Sequence, residues 1–190
     1  MRNTHPPGIQ GFSLLELVIV IILVALLFTV AMNRLAPLRG DAEAAHVATV
    51  IGSLRSAIGL EAASRVVREG PQGLAELEGI NPMTLLQEVP EQYVGIRRTG
   101  QSNDIAEGSW YFDDVDGLLV YRVRFPQHLE ASPPSPVELQ WQIRLQFEDM
   151  SESGTFDPER DRVRGLGLQA LHDHQWTARQ ASQMQNLLTE

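Results

Sequence analysis

Between Gly11 and Asn33 the chain carries one charge, Glu16, in a run that is otherwise almost wholly aliphatic. Phe12 through Met32 make 21 residues, close to the ~20 an α-helix needs to cross a hydrocarbon core of about 30 Å. A soluble domain does not leave such a segment in water, so the run predicts a membrane helix. A carboxylate at membrane depth costs on the order of 3 kcal/mol and is tolerated when it is paired. Glu16 therefore demands a specific reason.

The remainder, out of 190 residues in all, is enough for one modest domain. A formal charge of −9 argues against a nucleic-acid surface, which needs clustered positive charge, and no nucleic-acid partner is expected. All 15 cationic residues are arginine, and nothing in the pattern gathers them into one patch. The absence of cysteine excludes disulfides and thiolate metal sites. There is no nucleophile–base arrangement, phosphate-cradling glycine loop or His-Glu-x-x-His helix, so the chain is expected to be non-enzymatic.

Ahead of the run, Met1 to Gly11 is polar and broken by Pro6 and Pro7. A secretory signal places its small cleavage residue after the apolar stretch, and nothing of that kind follows Met32. Here the small residue, Gly11, comes first. The hexapeptide Gly11-Phe12-Ser13-Leu14-Leu15-Glu16 resembles the processing site of type IV prepilins and type II secretion pseudopilins. That resemblance covers about the first quarter of the chain and implies a sequence of events. A membrane aspartyl peptidase, the prepilin peptidase, would cut the Gly11–Phe12 bond and N-methylate Phe12. Glu16 would then act as the assembly glutamate toward other pilin or pseudopilin subunits.

The resemblance also implies a single-pass protein of the bacterial inner membrane, with its N-terminus cytoplasmic and its C-terminal domain periplasmic, before assembly into a pilus or pseudopilus. Charge does not orient the span by itself, since Arg2 precedes it while Arg34 and Arg39 follow. Glu16 lies four residues beyond Phe12, which puts the two on one helical face, and the ammonium freed by the cut is a natural counter-charge. Ser13-x-x-Glu16 is equally a helix-start signature, the capping box. The two readings are compatible, because one concerns the start of a helix and the other its assembly.

The expected organisation is a leader at 1–11, a membrane helix at 12–32, and an amphipathic helix at 33–70 that continues the spine past a kink near Pro37 and Gly40. A β domain at 71–175 with a short connector helix follows, then a tail at 176–190. Val47, Val50, Ile51, Leu54, Ile58 and Ala62 recur at helical spacing, and Gly70-Pro71 ends that helix. His46 reads as a surface residue. Asn81-Pro82 starts the connector helix. Strands are expected at 93–98, 109–113, 118–125 and 137–147, the last alternating most strictly, with an exposed proline loop over 126–136. The fold class is α+β: a long N-terminal helix packed on an antiparallel β-sheet, which matches the pilin-like roll.

Three clusters invite chemistry. Asp113, Asp114 and Asp116 beside Gly117 read either as a plain aspartate-glycine hairpin turn or as calcium ligands, since some pseudopilins that this chain resembles bind Ca²⁺ in their C-terminal region; the spacing does not follow the EF-hand ladder. His172-Asp173-His174 lacks a third ligand. Arg160, Arg162 and Arg164, interleaved with Glu159 and Asp161, read as a solvated strand edge. The resulting expectation is a non-enzymatic minor or accessory subunit of a type IV pilus or type II secretion pseudopilus. The alternative is an adhesin-like tip subunit that binds a ligand or substrate through its loops.

Overall fold

A computed structural model describes residues 13–35, 38–98, 104–129, 137–172 and 176. The chain divides into two compact units, Met1–Arg39 and Gly40–Glu190.

The first unit contains helix α1, Leu14–Leu35, whose 22 residues include no buried one. An α-helix satisfies its backbone internally, which is what a chain without water around it requires. The hydroxyl of Thr29 follows the same rule, donating to the Ala25 carbonyl at 2.9 Å. By length and composition α1 can cross a membrane.

Helix α2, Leu38–Glu69, belongs to the second unit from Gly40 onward. Its buried positions, Gly40, Glu43, Val47, Val50, Ile51, Leu54 and Ile58, follow the i, i+3, i+4 spacing of one helical face and so form one stripe. Gly70 ends the helix at φ +79°, donating its N–H to the Val66 carbonyl, and Pro71 cannot continue it. Two 3₁₀ turns follow, Pro71–Leu77 and Pro82–Leu85. The second is the expected connector, with the Asn81 side chain accepting from the Met83 N–H. It is a single tight turn of four residues.

Five strands come next: β1 Tyr93–Arg97, β2 Trp110–Asp113, β3 Leu118–Arg122, β4 Glu138–Glu148 and β5 Arg162–Ala170. They lie side by side in that order. The sheet is mixed rather than antiparallel, because β1 runs parallel to β2 while the other pairs are antiparallel. Parallel neighbours need a crossover of about a dozen residues, and the stretch 98–109 supplies one. The three Arg positions divide: Arg162 and Arg164 are exposed on the edge strand β5, but Arg160 precedes it in a turn. Of the proline loop, Pro126–His128 forms a 3₁₀ turn and 130–136 lie outside the described residues. Trp176, expected in the tail, pairs with Leu129 in an isolated bridge and packs against the core; 177–190 lie outside the described residues.

The α2 stripe rests on the inner sheet face, on Trp110, Phe112, Leu119, Tyr121, Leu139, Trp141, Ile143 and Leu168. Trp110 is fully enclosed, its ring centroid 4.7 Å from that of Tyr121 and 5.5 Å from that of Trp141. Trp110 and Tyr121 are direct cross-strand partners, the pairing that contributes most to a sheet face.

A buried carboxylate joins helix to sheet. Glu43 Oε1 accepts from the Tyr121 hydroxyl at 2.9 Å and the Arg124 N–H at 2.6 Å, and Oε2 accepts from the Phe125 N–H at 2.9 Å. Burial, and then this carboxylate, push the Tyr121 hydroxyl well above its ordinary pKa. One turn earlier, a Cβ on Gly40 would lie 2.4 Å from the His128 ring. Gly40, expected to help melt or kink a helix, instead lies within α2 and is glycine because the chain approaches closely there; Pro37 lies outside the described residues.

Replacing Glu43 by Ala leaves a buried hydroxyl and two partly buried N–H groups without an acceptor, and should lower stability by about 3 kcal/mol. Tyr121→Phe removes one bond and should cost about 1 kcal/mol. Chemical denaturation followed by tryptophan fluorescence measures both, and equal costs for the two variants would contradict the three-donor arrangement.

Candidate functional site

The sequence concentrates candidate function at the start of α1. Ser13 stands just before the helix, and its Oγ accepts from the Glu16 N–H at 3.2 Å while its carbonyl accepts from the Leu17 N–H at 3.1 Å. Ser13 is thus the N-cap, and Glu16 is the third helical residue. Only half of a capping box is made. Among the described residues the Glu16 carboxylate is exposed, with no hydrogen bond or ion pair. An acidic residue in a first turn complements the helix dipole by a fraction of a kcal/mol to about 1 kcal/mol, far less than the desolvation of a carboxylate in lipid. Gly11 and Phe12 lie outside the described residues.

The three aspartates of the β2–β3 hairpin have separate surroundings. Asp113 is buried at the end of β2, and its Oδ1 accepts from the Val115 N–H at 3.0 Å and the Asp116 N–H at 3.5 Å, folding the turn over itself. Asp114 faces Arg98 at 3.9 Å. Asp116 gives its carbonyl to the Gln142 side chain at 3.0 Å. Gly117 closes the turn at φ +66°, where a Cβ would come within 3.0 Å of the Gly79 carbonyl oxygen. Among the described residues no three His, Asp or Glu side chains gather where they could hold a metal ion. This geometry is that of a hairpin turn.

A second acidic loop, between β4 and β5, was not anticipated. Asp149 Oδ1 accepts from the Ser153 N–H at 3.2 Å and the Ser151 hydroxyl at 3.0 Å, and Oδ2 accepts from the Gly154 N–H at 2.7 Å. Asp161 Oδ1 accepts from the Met150 and Ser151 N–H groups and Oδ2 from the Asp157 N–H. Asp161 is buried, which corrects its reading as part of a solvated edge. The available signal was Asp149-x-Ser151-x-Ser153-Gly154, a run of residues that fold back on their own backbone. His46, expected at the surface, is half-buried, with Nε2 enclosed and without a partner among the described residues. His172 is exposed, while Asp173 and His174 lie outside the described residues.

In comparisons with known proteins, no family model, no curated protein and no solved structure matches the chain.

The hydrogen bonds from Gly154 above all hold the Asp149 carboxyl below its ordinary value of 3.8. A lowered carboxyl supports the loop fully above its unfolded value, and that support is lost as pH falls through the lower, folded one. Amide exchange at Ser153 and Gly154 should therefore stay protected down to about pH 4 and quicken below it. Asp149→Asn should remove this pH dependence, and persistence of it in that variant would assign the protection to another group.

Proposed function

We propose that the chain is a pilin-like subunit, cut by a prepilin peptidase at Gly11–Phe12 and assembled into a type IV pilus or type II secretion pseudopilus. The observation that carries this reading is Glu16: a carboxylate one turn into a membrane-length helix, with no partner among the described residues. Such a charge needs a cation at the same depth, and a cut at Gly11–Phe12 creates an ammonium four residues upstream. When the ammonium of one subunit pairs with Glu16 of the next, the contact is heterologous, and repeating it builds an open helical stack. Methylation of that amine keeps its charge.

The wholly exposed, apolar surface of α1 supports the same reading, since it fits lipid before assembly and neighbouring helices after it. The helix-on-sheet domain is compatible with a pilin-like roll, and α1 with a single-pass anchor in a bacterial inner membrane, N-terminus inside. The subunit is minor or accessory, and its work is mechanical rather than catalytic. Its enclosed carboxylates support that, because Glu43, Asp113 and Asp161 all accept hydrogen bonds that hold the fold.

Glu16→Ala should leave the cut intact, giving a mature chain that begins at methyl-Phe12 by intact mass. Its recovery in sheared filaments, or in the crosslinked pseudopilus, should fall about a hundredfold, the equivalent of roughly 3 kcal/mol lost per contact. Wild-type recovery of the variant would remove the pairing mechanism. An uncut wild-type chain, or a cut beyond Met32, would remove the assignment.

A further inference from the structure

All three tryptophans of the chain, Trp110, Trp141 and Trp176, belong to one core cluster beneath α2. Trp110 is wholly enclosed, Trp141 is 7% exposed and Trp176 is half-buried, so the cluster leads from the domain surface inward. At its centre the Trp110 ring lies 4.7 Å from Tyr121 and 5.5 Å from Trp141, centroid to centroid. Rings in such contact exchange an electron without any movement of the backbone.

Trp110 and Tyr121 differ in what each can do with a proton. The Trp110 indole N–H is buried and has no acceptor among the described residues. A buried donor left unpaired calls for an explanation, and redox use is one. A Trp110 ring that has lost an electron finds no base for its proton, and so remains a strong oxidant beside Tyr121. The Tyr121 hydroxyl, by contrast, donates to the Glu43 carboxylate at 2.9 Å. Burial, and then Glu43, keep the resting phenol neutral by raising its pKa, so its proton leaves only when an electron leaves too. The other tyrosines of the domain are placed differently. Tyr111 follows Trp110 in β2 and faces the opposite side of the sheet, in a separate cluster with Ile105 and Val120. The Tyr93 hydroxyl accepts from the Asn81 amide at 2.7 Å.

We infer that Trp110, Tyr121 and Glu43 form a radical sink for one-electron oxidants that strike the domain. A small inorganic radical such as the azide radical takes one electron from a cluster tryptophan and becomes azide. Trp110 then passes the deficit to Tyr121. One electron moves from the phenol to the indole, the phenol O–H bond breaks, and the proton binds Glu43 Oε1. The products are an intact tryptophan, a neutral tyrosyl radical and a neutral glutamic acid. The indoles are thereby spared the irreversible oxygen addition that a persisting tryptophan radical undergoes.

The test uses the full chain in detergent micelles, with azide radicals made by pulse radiolysis and each radical followed by transient absorbance. In the wild type the tryptophanyl band should decay as the tyrosyl band rises, at a rate independent of protein concentration. Tyr121→Phe keeps the ring and should lose this conversion, accumulating oxygenated tryptophan by peptide mass under steady oxidant. Tyr93→Phe and Tyr111→Phe should retain it. The wild-type conversion should slow in heavy water, because the proton moves with the electron. Unchanged conversion in Tyr121→Phe would overturn the inference, as would tryptophan radicals that persist in the wild type. Equal rates in light and heavy water would overturn it too, since Glu43 would then take no proton. None of these groups lies in α1, so the outcomes stand apart from those of the cleavage and assembly experiments.

Discussion

Twenty-two residues without one buried side chain cannot be accommodated by water, and the architecture follows from that constraint. By length and composition α1 can cross a membrane, while the second unit buries a core of its own. In the first unit α1 bonds its interior backbone groups to one another, and Thr29 donates to its own helix. In the second unit a helix of nearly neutral average polarity presents one apolar stripe and needs a sheet to cover it. The side chains of α1 and α2 are patterned differently, and that pattern decides which surroundings each helix can face.

Carboxylates mark where these solutions need reinforcement. Glu43, Asp113, Asp149 and Asp161 each accept main-chain N–H groups, so they act as caps and turn-formers for segments that have left regular structure. That use of negative charge is consistent with a chain of net charge −9 whose acidic residues are distributed through the fold. Glu16 differs from all of them. It stands exposed in the first turn of the apolar helix α1, whose start is already capped by a neutral hydroxyl.

Much of this was legible from one chain. The membrane run, the α2 stripe from Val47 to Ile58, the alternation of Val137, Leu139, Trp141, Ile143 and Leu145, and the Asp113–Gly117 turn are all local periodicities. The helix start was readable from Ser13-x-x-Glu16, and the geometry shows half of that capping box made. What was not legible depends on distance along the chain. The parallel pairing of β1 with β2 requires a crossover that no turn motif announces. Glu43 looks like any helix-surface glutamate until its partner 78 residues away is in place. Strand β5 was recognised only at its arginines, because Gly165 and Gly167 dilute the alternation. Calcium was considered at the first acidic turn, while the more elaborate second loop went unread because serine and backbone contacts leave only a faint compositional trace.

The Glu43 clamp also constrains the order in which the domain folds. Its three donors lie 78, 81 and 82 residues from the acceptor, so closing it means bringing together points separated by most of the domain. The β2–β3 hairpin closes over four residues and can form early, carrying Tyr121 with it. The carboxylate has nothing to bind until that hairpin and the following turn exist. Desolvating it sooner would leave a charge without partners. The carboxylate can therefore be desolvated at low cost only once the hairpin and the turn after it stand beside the helix.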